Sequence, residues 1–458
     1  MPLLPFWIDE WLLIDNLKFK SPAQLWKALD HTQQFPRVYL ELIKWFSAAC
    51  DYSYTSLRLP SFLAHSFGLV LLYRLSGRLF RQDNLSRFLW VMIYVSFSTS
   101  IHYFVQLKQY TMEMALSLVG IWQLLELVSM ETTKPSRQRF LLLCISFAAC
   151  PFFSYTYPIV IAPVYLLLAF RSAASRQLPA GVWAPLLTGI ASIAVCYQID
   201  IRHVLADKGM QDFWQELIMK TFSFRTFLTN TYMMFCNLGS GDLFGNIFGS
   251  LGVAAFLYGS YRSVKTVLAA SNERDLLLQY SSLLICLVFG LFVAGKLPLG
   301  TFRLNSFVVP AVGILIINLL LQLCADKRWK PVSIGMSLIL FLASTGNVYV
   351  TIAELGGAEH AKKLRIYRAC DRAILQARKQ KLPVFVTSGI AYPFDDRWPG
   401  DWILRTQPRY KVHEPLSVYP ISAADSFKQH LPSLPRGAIV LDGESIWIIP
   451  PNGYKPSG

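Results

Sequence analysis

The chain has 458 residues, of which 53% are hydrophobic, 14% aromatic and only 16% charged. That balance excludes one soluble enzyme built around a large core and matches a polytopic membrane protein. The net charge of +15 does not indicate nucleic acid, because Lys and Arg fall in short loops between apolar runs rather than on one basic face.

In chain order, the first feature is Pro5-Phe-Trp-Ile-Asp-Glu-Trp11. Asp9 and Glu10 are adjacent carboxylates close to a membrane, where uncompensated charge is costly, so they read either as a site or as a plain surface pair at a terminus. Residues 1–56 carry several further charges and precede the first complete apolar run. Runs long enough to cross about 30 Å of hydrocarbon, roughly 20 residues each, are expected at 57–80, 86–105, 110–129, 181–199, 246–263, 276–295, 304–324 and 332–352. The stretch Phe140–Phe170 exceeds one crossing and contains Pro151, Pro158 and Pro163. It predicts two short helices meeting near Ser154–Tyr157. The total is about ten spans, an even number.

Alternate loops carry the cations: Arg81 and Arg87; Lys134, Arg137 and Arg139; Arg171 and Arg176; Arg262, Lys265 and Arg274; Lys327, Arg328 and Lys330. The positive-inside rule puts these loops in the cytoplasm. The other side then receives 1–56 as a first extracytoplasmic loop, the connection near 106–110, a loop at 200–245, the turn at 296–303 and the tail 353–458. Both termini are expected outside the cytoplasm, yet nothing before residues 1–56 resembles a signal peptide or a first span. Either a preceding span is missing through truncation or a misplaced start, or the N-terminal region inserts after the first helical hairpin.

Beyond Ile352 the composition becomes that of a soluble module. Leu364, Tyr367, Cys370, Ile374 and Ala377 recur at helical spacing, and strands are expected at Val384–Thr387, Ala438–Leu441 and Ile446–Ile449. Asp395-Asp-Arg-Trp-Pro-Gly-Asp-Trp402 reads as a sugar-binding loop or as a solvated loop anchored by two tryptophans. The fold class is therefore mainly α: a transmembrane helical bundle over 57–352 with a small C-terminal extracytoplasmic α/β module. The eight cysteines include no Cys-x-x-Cys pair, so neither a zinc site nor a disulfide framework is supported. No cofactor is indicated, and a divalent metal has no support in the sequence.

Polar residues cluster at the external span ends: Asp9 and Glu10; Arg58-Leu-Pro-Ser61; Gln106-Leu-Lys-Gln-Tyr110 with Thr111 and Glu113; and Lys296-Leu-Pro-Leu-Gly-Thr-Phe-Arg303. Lone cations near span ends commonly snorkel to headgroups. External cations oppose the positive-inside bias, however, which singles out Lys108 and Arg303. Carboxylates and cations at one level suit chemistry on an anionic lipid, with Lys and Arg holding a phosphate while a carboxylate takes a proton.

At these motifs the chain resembles the multi-span glycosyltransferases of the GT-C class, closest to the bacterial relatives of protein O-mannosyltransferases and of the lipid A aminoarabinose transferase (glycosyltransferase family 39-like). The resemblance runs in motif order from about Pro5 to Ile352, with Pro310 following the Pro-Leu-Gly-Thr-Phe-Arg turn that ends at Arg303. It implies an inverting transfer from a polyprenyl-phosphate sugar donor to a lipid, glycan or protein acceptor at the outer face of a bacterial inner membrane. It also implies that Asp9 is the general base and that Glu10 orients the site. Lys108 and Arg303 would bind the donor phosphate, with Arg58, Tyr110, Gln106, Glu113 and Arg37 in support. Gln106 stands where relatives commonly carry an acid, and Phe35-Pro36-Arg37 where they often place a His or Lys before Pro-Pro. A transporter or lipid flippase would also use intramembrane charges and proline-broken helices. A non-catalytic membrane protein recruiting partners through its tail is the other alternative.

Overall fold

The computed structural model describes residues 8–30, 33–50, 52–81, 83–131, 133, 135–173, 179–206, 218–239, 241–266, 272–300, 302–357, 384–386, 439–442 and 445–448. The chain divides into two compact units, one of residues 1–19, 44–57 and 354–458, the other of residues 20–43 and 58–353.

The helices in order are α1 (Ile8–Phe19), α2 (Pro22–Leu25), α3 (Arg37–Ala49), α4 (Tyr54–Leu79), α5 (Asn84–Ser96), α6 (Ser98–Tyr103), α7 (Tyr110–Ser129), α8 (Arg137–Ala149), α9 (Tyr157–Ala173) and α10 (Ala180–Cys196). A π turn, Tyr197–Ile201, joins α10 to α11 (Arg202–Leu205). There follow α12 (Phe224–Cys236), α13 (Gly241–Thr266), α14 (Glu273–Val293), a 3-10 segment Phe302–Val308, α15 (Val309–Ala325) and α16 (Lys330–Gly356). Several begin at side-chain caps that satisfy an otherwise orphaned N–H. Asp83 accepts from Ser86 N, Ser136 from Arg139 N, Ser223 from Thr226 N and Asn272 from Asp275 N.

Seven helices among the described residues are long and apolar enough to cross a membrane: Thr55–Leu79, Tyr110–Ser129, Gly181–Leu205, Gly241–Thr266, Glu273–Val293, Leu304–Ala325 and Lys330–Ala353. The protein is a multi-pass membrane protein. Exposed rows such as Leu141, Leu142 and Ile145 on α8, or Ile334, Leu338 and Leu342 on α16, give the bilayer an apolar face. The three other expected crossings are not among these seven. Residues 140–170 fold as two helices, α8 of 13 residues and α9 of 17, meeting at Cys150–Phe152 and the turn that follows. The run 86–105 is broken, because Phe97 is extended (φ −61°, ψ 135°) between α5 and α6.

That break frees backbone groups which an apolar setting cannot leave bare. Ser98 N donates to Leu238 O at 3.0 Å, and Ser98 Oγ to Asn237 O at 3.1 Å. Asn347 Nδ2 donates to Ser96 O, while the Ser96 and Ser344 hydroxyls meet at 3.1 Å. The broken helix is thus held by α16 and by the turn after α12.

The segment expected as a loop at 200–245 contains more helix than its composition suggests. The span beginning at Gly181 runs on to Leu205, and α12 packs against α13. Glycines on α13 permit the approach: a Cβ at Gly252 would lie 2.6 Å from the Phe235 ring, and one at Gly259 would lie 2.5 Å from Leu315 Cδ2. Small residues of this kind let membrane helices meet closely.

In the other unit, Leu12, Leu13, Ile14 and Leu17 of α1 are buried. Lys44 Nζ and Tyr52 OH both donate to Leu17 O, and Lys18 lies over the Tyr52 ring at 5.9 Å. Three strands close the description: β1 (Val384–Val386), β2 (Ile439–Asp442) and β3 (Ser445–Ile448). They form one sheet in that order, β1 parallel to β2 and β2 antiparallel to β3, with Val440 opposite Trp447. The expected tail helix at 364–377 and the Asp395–Trp402 segment lie outside the described residues.

Candidate functional site

Within the unit of residues 20–43 and 58–353, helix ends sort into two sets. One contains the start of α4, the 103–111 turn, the 150–157 turn, the π turn Tyr197–Ile201 and the segments around 237 and 300. The other contains the ends of α4, α7 and α9 and the start of α14. The division follows from hydrogen bonds between segments distant in sequence.

In the first set, Ser61 Oγ donates to Lys108 O at 3.0 Å, and Thr111 Oγ1 donates back to Ser61 O at 3.1 Å. The Arg58–Ser61 motif is thereby locked to the Gln106–Tyr110 turn. Lys108, 7% exposed, directs Nζ to Gln33 Oε1 at 3.5 Å. Arg58 is 3% exposed. Tyr110 is buried and packs edge-on against Tyr103, with ring centroids 4.5 Å apart. Gln106 sits in the turn, half-buried.

Glu113, one turn into α7, is 4% exposed and accepts a hydrogen bond from Ser306 Oγ at 3.3 Å. Ser306 follows the Lys296–Arg303 turn, which is shaped by Asn305: its Nδ2 donates to Pro298 O at 3.2 Å and to Leu299 O at 3.0 Å. Asn237 Nδ2 donates to Gly300 O at 2.8 Å. Two of the sequence motifs, at 58–61 and 106–113, therefore meet directly, and the third, at 296–303, joins them through Ser306. Asp9 belongs to α1 and Arg303 to the 3-10 segment; both are described as backbone alone. Glu10, on α1, is 1% exposed.

Arg37 opens α3 and is 1% exposed. Its backbone N donates to Asp200 Oδ2 at 3.1 Å, and its Nε lies 3.4 Å from Asp200 Oδ1. Asp200, 2% exposed, also accepts from Tyr155 OH at 2.7 Å, and Tyr155 OH contacts Phe35 O at 2.8 Å. Burial, and next the Asp200 charge, push the Tyr155 phenol well above its ordinary range, so it stays a proton donor. Arg37 Nη1 is buried with no hydrogen-bond partner among the described residues. A buried charge needs such pairing to be tolerable.

Sequence reasoning missed Asp200, Tyr155, Gln33 and Ser306. The signal for Asp200 was there, a single carboxylate at the end of an apolar run, and such residues commonly mark sites or pairs. Nothing in the local pattern names its partner, 163 residues away. Among the described residues no group of three or more His, Cys, Asp or Glu could hold a metal ion.

The arrangement brings cations, the carboxylates of Glu113 and Asp200, amides and hydroxyls to one end of the helices, sheltered from bulk water. The chemistry of such a set is suited to holding and orienting an anionic or polar group. Comparison with known proteins finds no matching family model, no matching curated protein and no matching solved structure.

Proposed function

We propose that this multi-pass protein is an inverting glycosyltransferase that moves a sugar from a polyprenyl-phosphate donor to an acceptor hydroxyl on the extracytoplasmic side. The observation that carries the reading is the set of buried ionisable side chains at one end of the helices: Arg37, Arg58, Lys108, Glu113 and Asp200. The motif resemblance supplies the roles.

In this reading Asp9 takes the acceptor hydroxyl proton and that oxygen attacks the anomeric carbon. The bond from that carbon to the phosphate oxygen breaks, and the lipid phosphate leaves with its electron pair. Lys108 and Arg303 stabilise the departing phosphate, Glu10 orients the acceptor, and Arg58, Tyr110, Gln106, Glu113 and Arg37 support the pocket. A lipid phosphate is a good leaving group, so stabilising its charge matters more than protonating it. The site end faces outward because the opposite loops carry the cations, in a bacterial inner membrane with both termini outside.

The test is transfer from a polyprenyl-phosphate sugar in proteoliposomes. Asp9→Asn is expected to lower turnover by about 10²- to 10⁴-fold, the usual worth of a general base, with thermal stability preserved. Unchanged turnover overturns the assignment. The broken helix at Phe97 is a device transporters also use, and movement of a lipid-linked sugar across the vesicle membrane without transfer would favour that reading instead.

A further inference from the structure

At the helix ends opposite the candidate site lies a cavity of about 480 Å³ lined by Arg78, Arg262, Arg274, Glu273, Asp275 and Asn318, among others. Its three arginines are not equally engaged. Arg78 is fully committed: Nε and Nη2 donate to Glu273, Nη1 to Glu126 at 2.8 Å, and Nη2 also to Leu125 O. Among the described residues Arg274 donates through Nε alone, to Asn318 Oδ1 at 3.1 Å. Asn318 is itself oriented by its Nδ2 bond to Ile314 O at 2.9 Å, so it points the guanidinium without neutralising it.

Arg262 approaches Asp275 Oδ1 only to 3.8 Å, beyond hydrogen-bond distance, and its buried Nε has no partner among the described residues. Glu126 and Glu273 both pair with Arg78, which leaves Arg262 and Arg274 with Asp275, at 3.8 Å from Arg262, as the carboxylate beside them. Planar guanidinium forks with unused N–H groups fit phosphate oxygens in pairs. Leu79, Tyr258 and Leu278 line the same cavity, so its wall is partly apolar.

We propose that this cavity binds a phosphodiester monoanion of the kind carried by a phospholipid headgroup, held by Arg262 and Arg274. The guanidinium N–H groups of Arg262 and Arg274 that no carboxylate takes up among the described residues suit the two free oxygens of a phosphodiester, and the apolar wall accommodates the start of the acyl chains. The same donors would take a free phosphate, and the experiment separates the two sources. This site is independent of the glycosyltransferase reading.

The full chain, purified in detergent, is titrated with phosphatidylglycerol and with a diacylglycerol of the same acyl chains, and binding is read by native mass spectrometry. Wild type should prefer phosphatidylglycerol by at least about tenfold, as a charge-assisted fork requires. Arg262→Gln and Arg274→Gln should each remove most of that preference, whereas Arg328→Gln, outside the cavity lining, should leave it intact. Arg262 makes no side-chain hydrogen bond among the described residues, so its loss tests the site without dismantling packing. Displacement of the lipid by millimolar inorganic phosphate in wild type assigns the site to soluble phosphates as well; no displacement restricts it to lipid. Equal phosphatidylglycerol binding by wild type and both variants overturns the proposal, as does an absence of any preference over diacylglycerol.

Discussion

At the end of the helices that carries Arg78 and Arg171, the ion pairs are partly open to solvent. Arg78 and Glu273 are 25% and 40% exposed, and Arg171 and Glu131 are 12% and 17% exposed. At the opposite end Arg37 and Asp200 are 1% and 2% exposed, and Glu113 faces the Ser306 hydroxyl rather than a cation among the described residues. The first arrangement ties helix ends together where water can share the charges. The second sequesters ionisable groups where each must be held by specific partners, which is the setting in which function is usually found.

The largest expected effect tests the buried end. Asp200→Ala removes the partner of the Arg37 guanidinium and of its backbone N–H, leaving a buried charge uncompensated. A loss of about 3–5 kcal/mol is expected, read as a fall in melting temperature of the purified chain. The double replacement Arg37→Met with Asp200→Leu should recover much of it, since apolar pairs substitute well for buried ion pairs. A single variant as stable as wild type would erase the contrast between the two ends.

Next comes Lys108→Gln. It keeps a polar group beside Gln33 but removes the charge proposed to hold the donor phosphate. Transfer efficiency should drop about 10- to 100-fold, the usual worth of one charge-stabilising donor, with little change in melting temperature. A large stability loss with undiminished transfer would instead make Lys108 part of the packing.

Glu131→Gln should matter least. The pair with Arg171 is partly exposed, so about 1 kcal/mol or less is at stake. Raising the ionic strength should shrink that difference and leave the Asp200→Ala effect unchanged. Equal salt sensitivity at both ends would show that they do not differ in burial.

Much of the helical framework was legible in the sequence because the requirement for crossing a bilayer is local: roughly 20 apolar residues in a row. Thr55–Leu79, Tyr110–Ser129 and Glu273–Val293 stand out on that basis alone, and Pro151 with its neighbours announced a pair of short helices. The break at Phe97 was not legible. It depends on Asn347 and on the Leu238 carbonyl being near enough to take up the freed backbone groups. The helix at Phe224–Cys236 was read as loop, since its packing partner, the glycine-bearing face of α13, is a tertiary neighbour.

The candidate site divides the same way. Arg58, Lys108, Tyr110 and Glu113 were found from polar residues at span ends, and Ser61, Thr111 and Ser306 link their segments. Arg37 was named without its partner, and Asp200 was overlooked. What the sequence by itself determined is that the chain is a multi-pass membrane protein with polar residues gathered at alternate helix ends, because hydrophobic length and loop charge are properties of short segments. Only the tertiary structure decided which of those residues meet, because pairing Arg37 with Asp200 or Arg78 with Glu273 depends on which helices pack side by side. Burial then makes each pairing consequential.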